Sequence, residues 1–212
     1  MIRVKPASEP PTFDETVRKP GLLAISEMVG EIPDPPRTHG KPVEYRAASR
    51  AAIKPGKFPP YWRLALDDLM EKYHQTCAYS CFRIHEVTGA SSVDHMAPKS
   101  TRWDQVYEWT NYRLASAWLN SLKRDFGDVL DPFDIQDGWF QLELVGFQIY
   151  PNRTLTVLQQ NDILRTIDPT RLDLNNPIIC KRREADAESY WAKELKLCIS
   201  PRSSAKMVAK GL

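Results

Sequence analysis

Proline placement constrains this chain more than any other feature. Eleven of its 17 prolines fall in the first 60 of 212 residues, three times as adjacent pairs: Pro10-Pro11, Pro35-Pro36 and Pro59-Pro60. Each proline removes a backbone donor and pushes the residue before it out of the helical region. Residues 1–60 are therefore expected to be an extended arm with at most one short helix, around Leu22–Val29. Two readings of the arm stand side by side. It is a disordered tail or linker, or it is a strap lying along a partner subunit or along its own core. Order is expected to begin at Pro60.

Beyond the arm the pattern becomes that of a folded unit. Trp62, Leu66, Leu69 and Tyr73 share one helical face, with Asp67, Asp68 and Lys72 on the other. Trp139–Tyr150 reads as a strand and Thr154–Leu158 as its return, a C-terminal β-hairpin turning at Pro151-Asn152. Helices are expected near 159–167 and 181–197. Helices and short strands without a βαβ rhythm give an α+β class. The expected division is an arm over 1–60, a core over 61–130 and an α/β extension with a basic tail over 131–212.

Composition excludes several classes. The formal net charge is only +2, so the chain is no polycation. No run of 18 apolar residues is present, so no membrane span is expected. Four cysteines are too few for a disulfide scaffold. With no secretory signal pattern at Met1–Pro6, a reducing cytoplasm is the default expectation.

The chemistry concentrates in three segments. Ser92-Val93-Asp94-His95-Met96-Ala97-Pro98 has the form of a strand delivering two polar side chains to its end. Asn111-Tyr112-Arg113-Leu114-Ala115 is strand-like and opens with an amide. Asn120 lies inside the helical Trp118–Arg124, although Asn more often serves caps and turns. An Asp-His dipeptide alone is weak, since a lone histidine is more often structural. As a set, the residues suit phosphodiester hydrolysis. A hard divalent cation accepts one carboxylate and one amide oxygen while keeping waters, and a neutral imidazole can take the proton of an attacking water. Neighbouring strand residues point to opposite faces. Asp94 and His95 must therefore sit at a strand end or irregularity, with Asn111 bracing that backbone and the imidazole from across a hairpin.

Asp94-His95, Asn111 and Asn120 with Lys123 resemble the HNH endonuclease signature, over roughly residues 74–126. Pro98 and Ser100 after the Asp-His, and the Asn-x-x-Lys of the helix, fit the same pattern. The resemblance implies a ββα-metal core with flanking helices, in which His95 is the general base and Asn111 positions it. It also implies that Asp94 and Asn120 hold Mg²⁺ (or Mn²⁺), and that DNA is the substrate. Lys99, Arg102, Arg113, Lys123 and Arg124 are candidates for phosphate contact. Layout and motif neighbourhood are similar to HNH subunits of bacterial anti-phage systems of the Septu type, which implies an ABC-type ATPase partner. The alternatives left open are a latent or non-catalytic HNH-fold binding module and an RNase.

Many HNH proteins carry a structural zinc on two cysteine pairs. Here Ser116 and Leu119 stand where the second pair would be, so that zinc is not expected. Cys77 and Cys81, flanked by His74 and His85, read as apolar filler more readily than as a compact zinc site. Of the tryptophans, Trp62, Trp109, Trp118 and Trp139 are expected in the core and Trp103 outside. Residues 61–130 hold eight Lys/Arg against nine Asp/Glu. Weak, salt-sensitive nucleic-acid binding is expected unless the arm, the basic tail or a partner helps.

Overall fold

The structure, a computed structural model, describes residues 1–192. The N-terminal segment is not a tail. A π-helical turn over Asp14–Arg18 runs into helix α1 (Lys19–Met28), and the two together are about twice the length anticipated. Pro20 explains the wide turn: in a regular α-helix its ring would collide with the carbonyl of Thr16, and the looser i→i+5 geometry relieves this. Phe13, Val17, Ala24, Ile25 and Met28 are buried, as are Ile53 and Phe58 further along. Phe13 meets the edges of Trp109 and Tyr112 at centroid distances of 5.6 and 5.7 Å, each such pair contributing about 1 kcal/mol beyond burial. Gly21 packs flat on the Tyr107 ring, and a Cβ there would overlap that ring. The segment is thus a strap bound to its own core.

The strap continues into a 3₁₀ turn at Tyr61–Ala65 and helix α2 (Leu66–Lys72). Of the expected apolar face, Leu69 is fully buried while Trp62, Leu66 and Tyr73 are half-buried.

Strands β1 (Ser91–His95) and β2 (Tyr112–Ser116) pair antiparallel, with His95 opposite Tyr112 and Val93 opposite Leu114. Helix α3 (Ala117–Lys123) follows β2 with no intervening loop, since the Ser116 hydroxyl caps it by accepting the amide of Leu119 at 3.3 Å. The chain order is therefore strand, strand, helix. Both α2 and α3 pack on this sheet.

The C-terminal hairpin differs from expectation. Strand β3 (Phe140–Leu142) pairs with β4 (Ile149–Pro151), so the turn lies inside the segment read as one strand. The Glu143 carboxylate accepts the Val145 and Gly146 amides, closing that turn. Thr154–Leu158 is no return strand: Thr156 caps helix α4 (Val157–Ile167) through a reciprocal bond with Gln159. Helix α5 (Pro177–Trp191) begins at an Asn176 cap. The remainder of the expected 181–197 helix and most of the basic tail lie outside the described residues. One apolar cluster runs from Phe13 to Ile179 and joins all three expected segments. Among the described residues no helix is long and apolar enough to cross a membrane.

Candidate functional site

Strand β1 ends at His95, and there the chain turns away from the sheet. Asp94 and His95 consequently face one cavity of ≈ 700 Å³, which Asn120 of α3 also lines. Lys99 and Arg124 line it as well, and from the strap side so do Trp62, Arg63 and Leu66.

The His95 ring is fixed at three points. Its Nε2 lies 3.0 Å from the Val106 carbonyl, which can only accept, so Nε2 carries the hydrogen and Nδ1 keeps its lone pair. Trp62 and Tyr112 meet the ring edge-on at 5.0 and 5.2 Å. Burial, helped by the charge of Lys99, pushes the imidazole down to about 3. The ring is a neutral acceptor through the ordinary pH range.

Asp94 is almost wholly enclosed. The Tyr79 hydroxyl donates to Oδ2, and the Lys123 ammonium stands 3.2 Å from Oδ1. Burial, reinforced by the adjacent carboxylate, raises the Tyr79 phenol well above its usual range and keeps it a donor. Lys123 also donates to the His95 carbonyl at 2.9 Å. Asn120 directs its NH₂ to Ser92 Oγ (2.6 Å) and the Val93 carbonyl (3.3 Å). Because that carbonyl can only accept, the amide oxygen of Asn120 is left as the free acceptor.

Asn111 acts differently from expectation. It closes the 3₁₀ turn just before β2 rather than opening the strand. Its Oδ1 accepts the Ala97 amide at 2.7 Å, and its NH₂ donates to the carbonyls of Ala97 and Gln105. It braces the loop after β1, while the imidazole is held by Val106.

Of the five expected phosphate contacts, Lys99 and Arg124 reach the cavity. Arg124 does so at φ +50°, an uncommon conformation outside glycine. Arg102 is exposed but paired with Asp104 at 2.9 Å, away from the cavity lining. Arg113 is buried, clamped to Asp131 and stacked 3.4 Å above Phe133, because the β2 residue opposite Asp94 faces the interior. Lys123 is the fully buried partner of Asp94. Neither is available to a phosphate.

No protein-family model matches the chain, and no curated protein matches it by sequence.

The site residues fit a hard divalent cation of the weakly held, water-rich kind. Each Asp94 oxygen has one partner and lone pairs to spare, and the Asn120 oxygen is free. Among the described residues there is no group of three or more His, Cys, Asp or Glu suited to holding a metal. Cys77 is buried, and its sulfur accepts the Ser116 amide at 3.4 Å, joining this segment to the junction between β2 and α3. His74 is exposed, and His85 spends Nδ1 on the Val87 and Thr88 amides. Trp118 is 42% exposed, against its expected core place, and Trp103 is half-buried under Arg50. Arg63, Tyr79 and the Val106 carbonyl were not anticipated. Arg63 falls within the expected core beside Trp62, and an exposed charge there carries no sequence signal of a cavity.

Proposed function

We propose that this chain is a metal-dependent endonuclease of the HNH type, acting on DNA phosphodiester bonds, with a ββα-metal core at residues 91–123. The observation that carries the reading is the shared cavity: the Asp-His pair at the end of one strand and the helix-borne Asn120 converge on it from a strand–strand–helix unit.

In this reading His95 Nδ1 accepts the proton of an attacking water, its ring held in the required tautomer by Val106. Asp94 and Asn120 hold the cation, which when bound neutralises charge at the phosphate and on the leaving 3′ oxygen. Tyr79 and Lys123 orient the Asp94 carboxylate. Asn111 fixes the loop that carries Lys99.

Plasmid nicking with Mg²⁺ and with EDTA, for wild type and His95→Ala, tests the reading. Cation-dependent nicking lost in His95→Ala is expected. Equal cutting by the variant refutes the assignment of the base.

A second reading is favoured by the Lys123–Asp94 pair. A carboxylate already balanced by an ammonium has less attraction for a cation, which suits a latent or non-catalytic binding module. Absence of Mg²⁺ or Mn²⁺ binding by calorimetry, with no effect of Asn120→Ala, would select it. Assaying RNA beside DNA separates an RNase. Membership of an anti-phage complex with an ATPase partner belongs to the same proposal, and native co-purification from the producing cell tests it.

A further inference from the structure

We propose that the N-terminal strap builds a phosphate-binding subsite onto this cavity: Lys99 and Arg63 take the non-bridging oxygens of a phosphodiester, and Trp62 is the residue that positions Lys99. The proposal deepens the nuclease reading and rests on it for the identity of the ligand.

Three observations converge. The cavity has two walls of different origin, one from β1, its following loop and α3, the other from Trp62, Arg63 and Leu66. Lys99 Nζ lies 4.2 Å from the centroid of the Trp62 ring, on its face. The edge-on contact of the same indole with His95 spaces the ammonium from the imidazole. A lysine stem is flexible, and seating it on a half-buried aromatic ring selects one position for its charge.

The second observation concerns charge. Among the described residues most arginines are paired: Arg18, Arg37, Arg46, Arg50, Arg113 and Arg171 all have carboxylate partners. Lys99 and Arg63 have none there, nor has Arg124, and all three line this cavity. Burial pulls the Lys99 ammonium below the usual lysine range; the Asp94 carboxylate offsets part of this, and the neighbouring Arg63 adds to it. A half-buried cation repelled by a second cation is relieved by an anion between them.

The third observation sets the ligand class. Because Lys99 covers one face of Trp62, that face is not free to stack on a base. The subsite therefore reads backbone phosphate and carries no base preference.

The test is oligonucleotide binding by the full chain in a His95→Ala background, read as fluorescence anisotropy over a range of salt. Lys99→Gln and Arg63→Gln are each expected to lower the slope of log K against log salt by about one phosphate contact, roughly 0.7–0.9, for every sequence tried. Trp62→Leu should match Lys99→Gln, and the double variant should be no worse than Lys99→Gln alone. Trp62→Phe, which keeps a ring face, should restore the wild-type slope. Lys99→Gln and Arg63→Gln leave the core untouched, so the test survives if Trp62→Leu misfolds. Unchanged slopes in both, or no binding by the parent at low salt, overturn the subsite. Trp62→Phe as defective as Trp62→Leu overturns the positioning role. If binding depends on Lys99 and Arg63 but the wild type does not nick plasmid, the subsite stands and the catalytic reading fails. Nicking that requires His95 with unaltered slopes gives the reverse.

Discussion

Lys123 and Asp94 form an ion pair closed off from solvent, with the ammonium 0% and the carboxylate 2% exposed, and they join the end of α3 to the end of β1. Breaking such a pair leaves one charge buried without compensation. Lys123→Met should lower stability by about 3–5 kcal/mol, read as a shift of the urea midpoint at constant m. Combining it with Asp94→Asn should recover part of that loss. Equal and additive losses would mean the two charges are not coupled.

The two asparagines are separable by metal dependence. Asn120 offers its oxygen to the cavity, whereas Asn111 holds the Ala97 backbone behind it. Asn120→Ala should abolish nicking at ordinary Mg²⁺ and raise the concentration needed for any residual activity. Asn111→Ala should slow cutting on the order of 10²-fold through displacement of the loop, with the Mg²⁺ midpoint unchanged. Identical Mg²⁺ curves for the two variants would remove the distinction.

Arg113 is expected to matter for folding and not for nucleic acid. It bonds Asp131 through Nε at 2.7 Å and two backbone carbonyls through Nη1. Arg113→Ala should cost about 3–5 kcal/mol by leaving the Asp131 charge without its cation and removing a donor from both carbonyls. Under conditions where the variant is folded, the salt slope of oligonucleotide binding should equal that of the parent. A lower slope would return Arg113 to the interface.

The strap carries an acid-labile clamp. Glu27 accepts Arg37 Nε and Nη2 at 2.8 and 2.7 Å and also the Val43 amide. The Arg37 guanidinium holds the Glu27 carboxyl below its usual 4.5. A depressed folded value contributes stability above the unfolded one and loses it as pH falls through the folded value. Glu27→Gln should therefore cost about 1 kcal/mol at neutral pH, and the gap to wild type should close below about pH 4. Melting temperatures of both proteins across pH 3–7 check this, and a constant gap would contradict it.

The sheet and helix were legible in the sequence because their signals are local. β1, β2 and α3 lie where Asp94-His95, Asn111-Tyr112 and Trp118–Arg124 suggested, and the turn of chain after His95 brings the adjacent pair to one cavity. The role of Asn111 was half legible, since bracing the backbone follows from its amide but the Val106 carbonyl that orients His95 has no side-chain signature. Arg113 and Lys123 were misread because charge suggests surface, and only their partners Asp131 and Asp94 explain their burial. Of the two readings of the arm, the strap along its own core is the one that holds, but its helix is longer than expected because prolines count against helix. The π-turn before Pro20 is a local response to that proline, but the deep seat of Phe13 depends on Trp109, nearly a hundred positions away.

That separation has a consequence for synthesis. The Ala7 carbonyl accepts the Trp109 indole N–H, and the Val4 amide donates to the Pro132 carbonyl. Phe13 and Gly21 likewise need Trp109, Tyr112 and Tyr107. Residues 4–21 leave the ribosome well before Tyr107–Pro132 and have nowhere to dock until those follow. The wall that carries Trp62 and Arg63 is thus set against the cavity late. A nascent chain holds Asp94 and His95 before it holds the pocket that makes them a site.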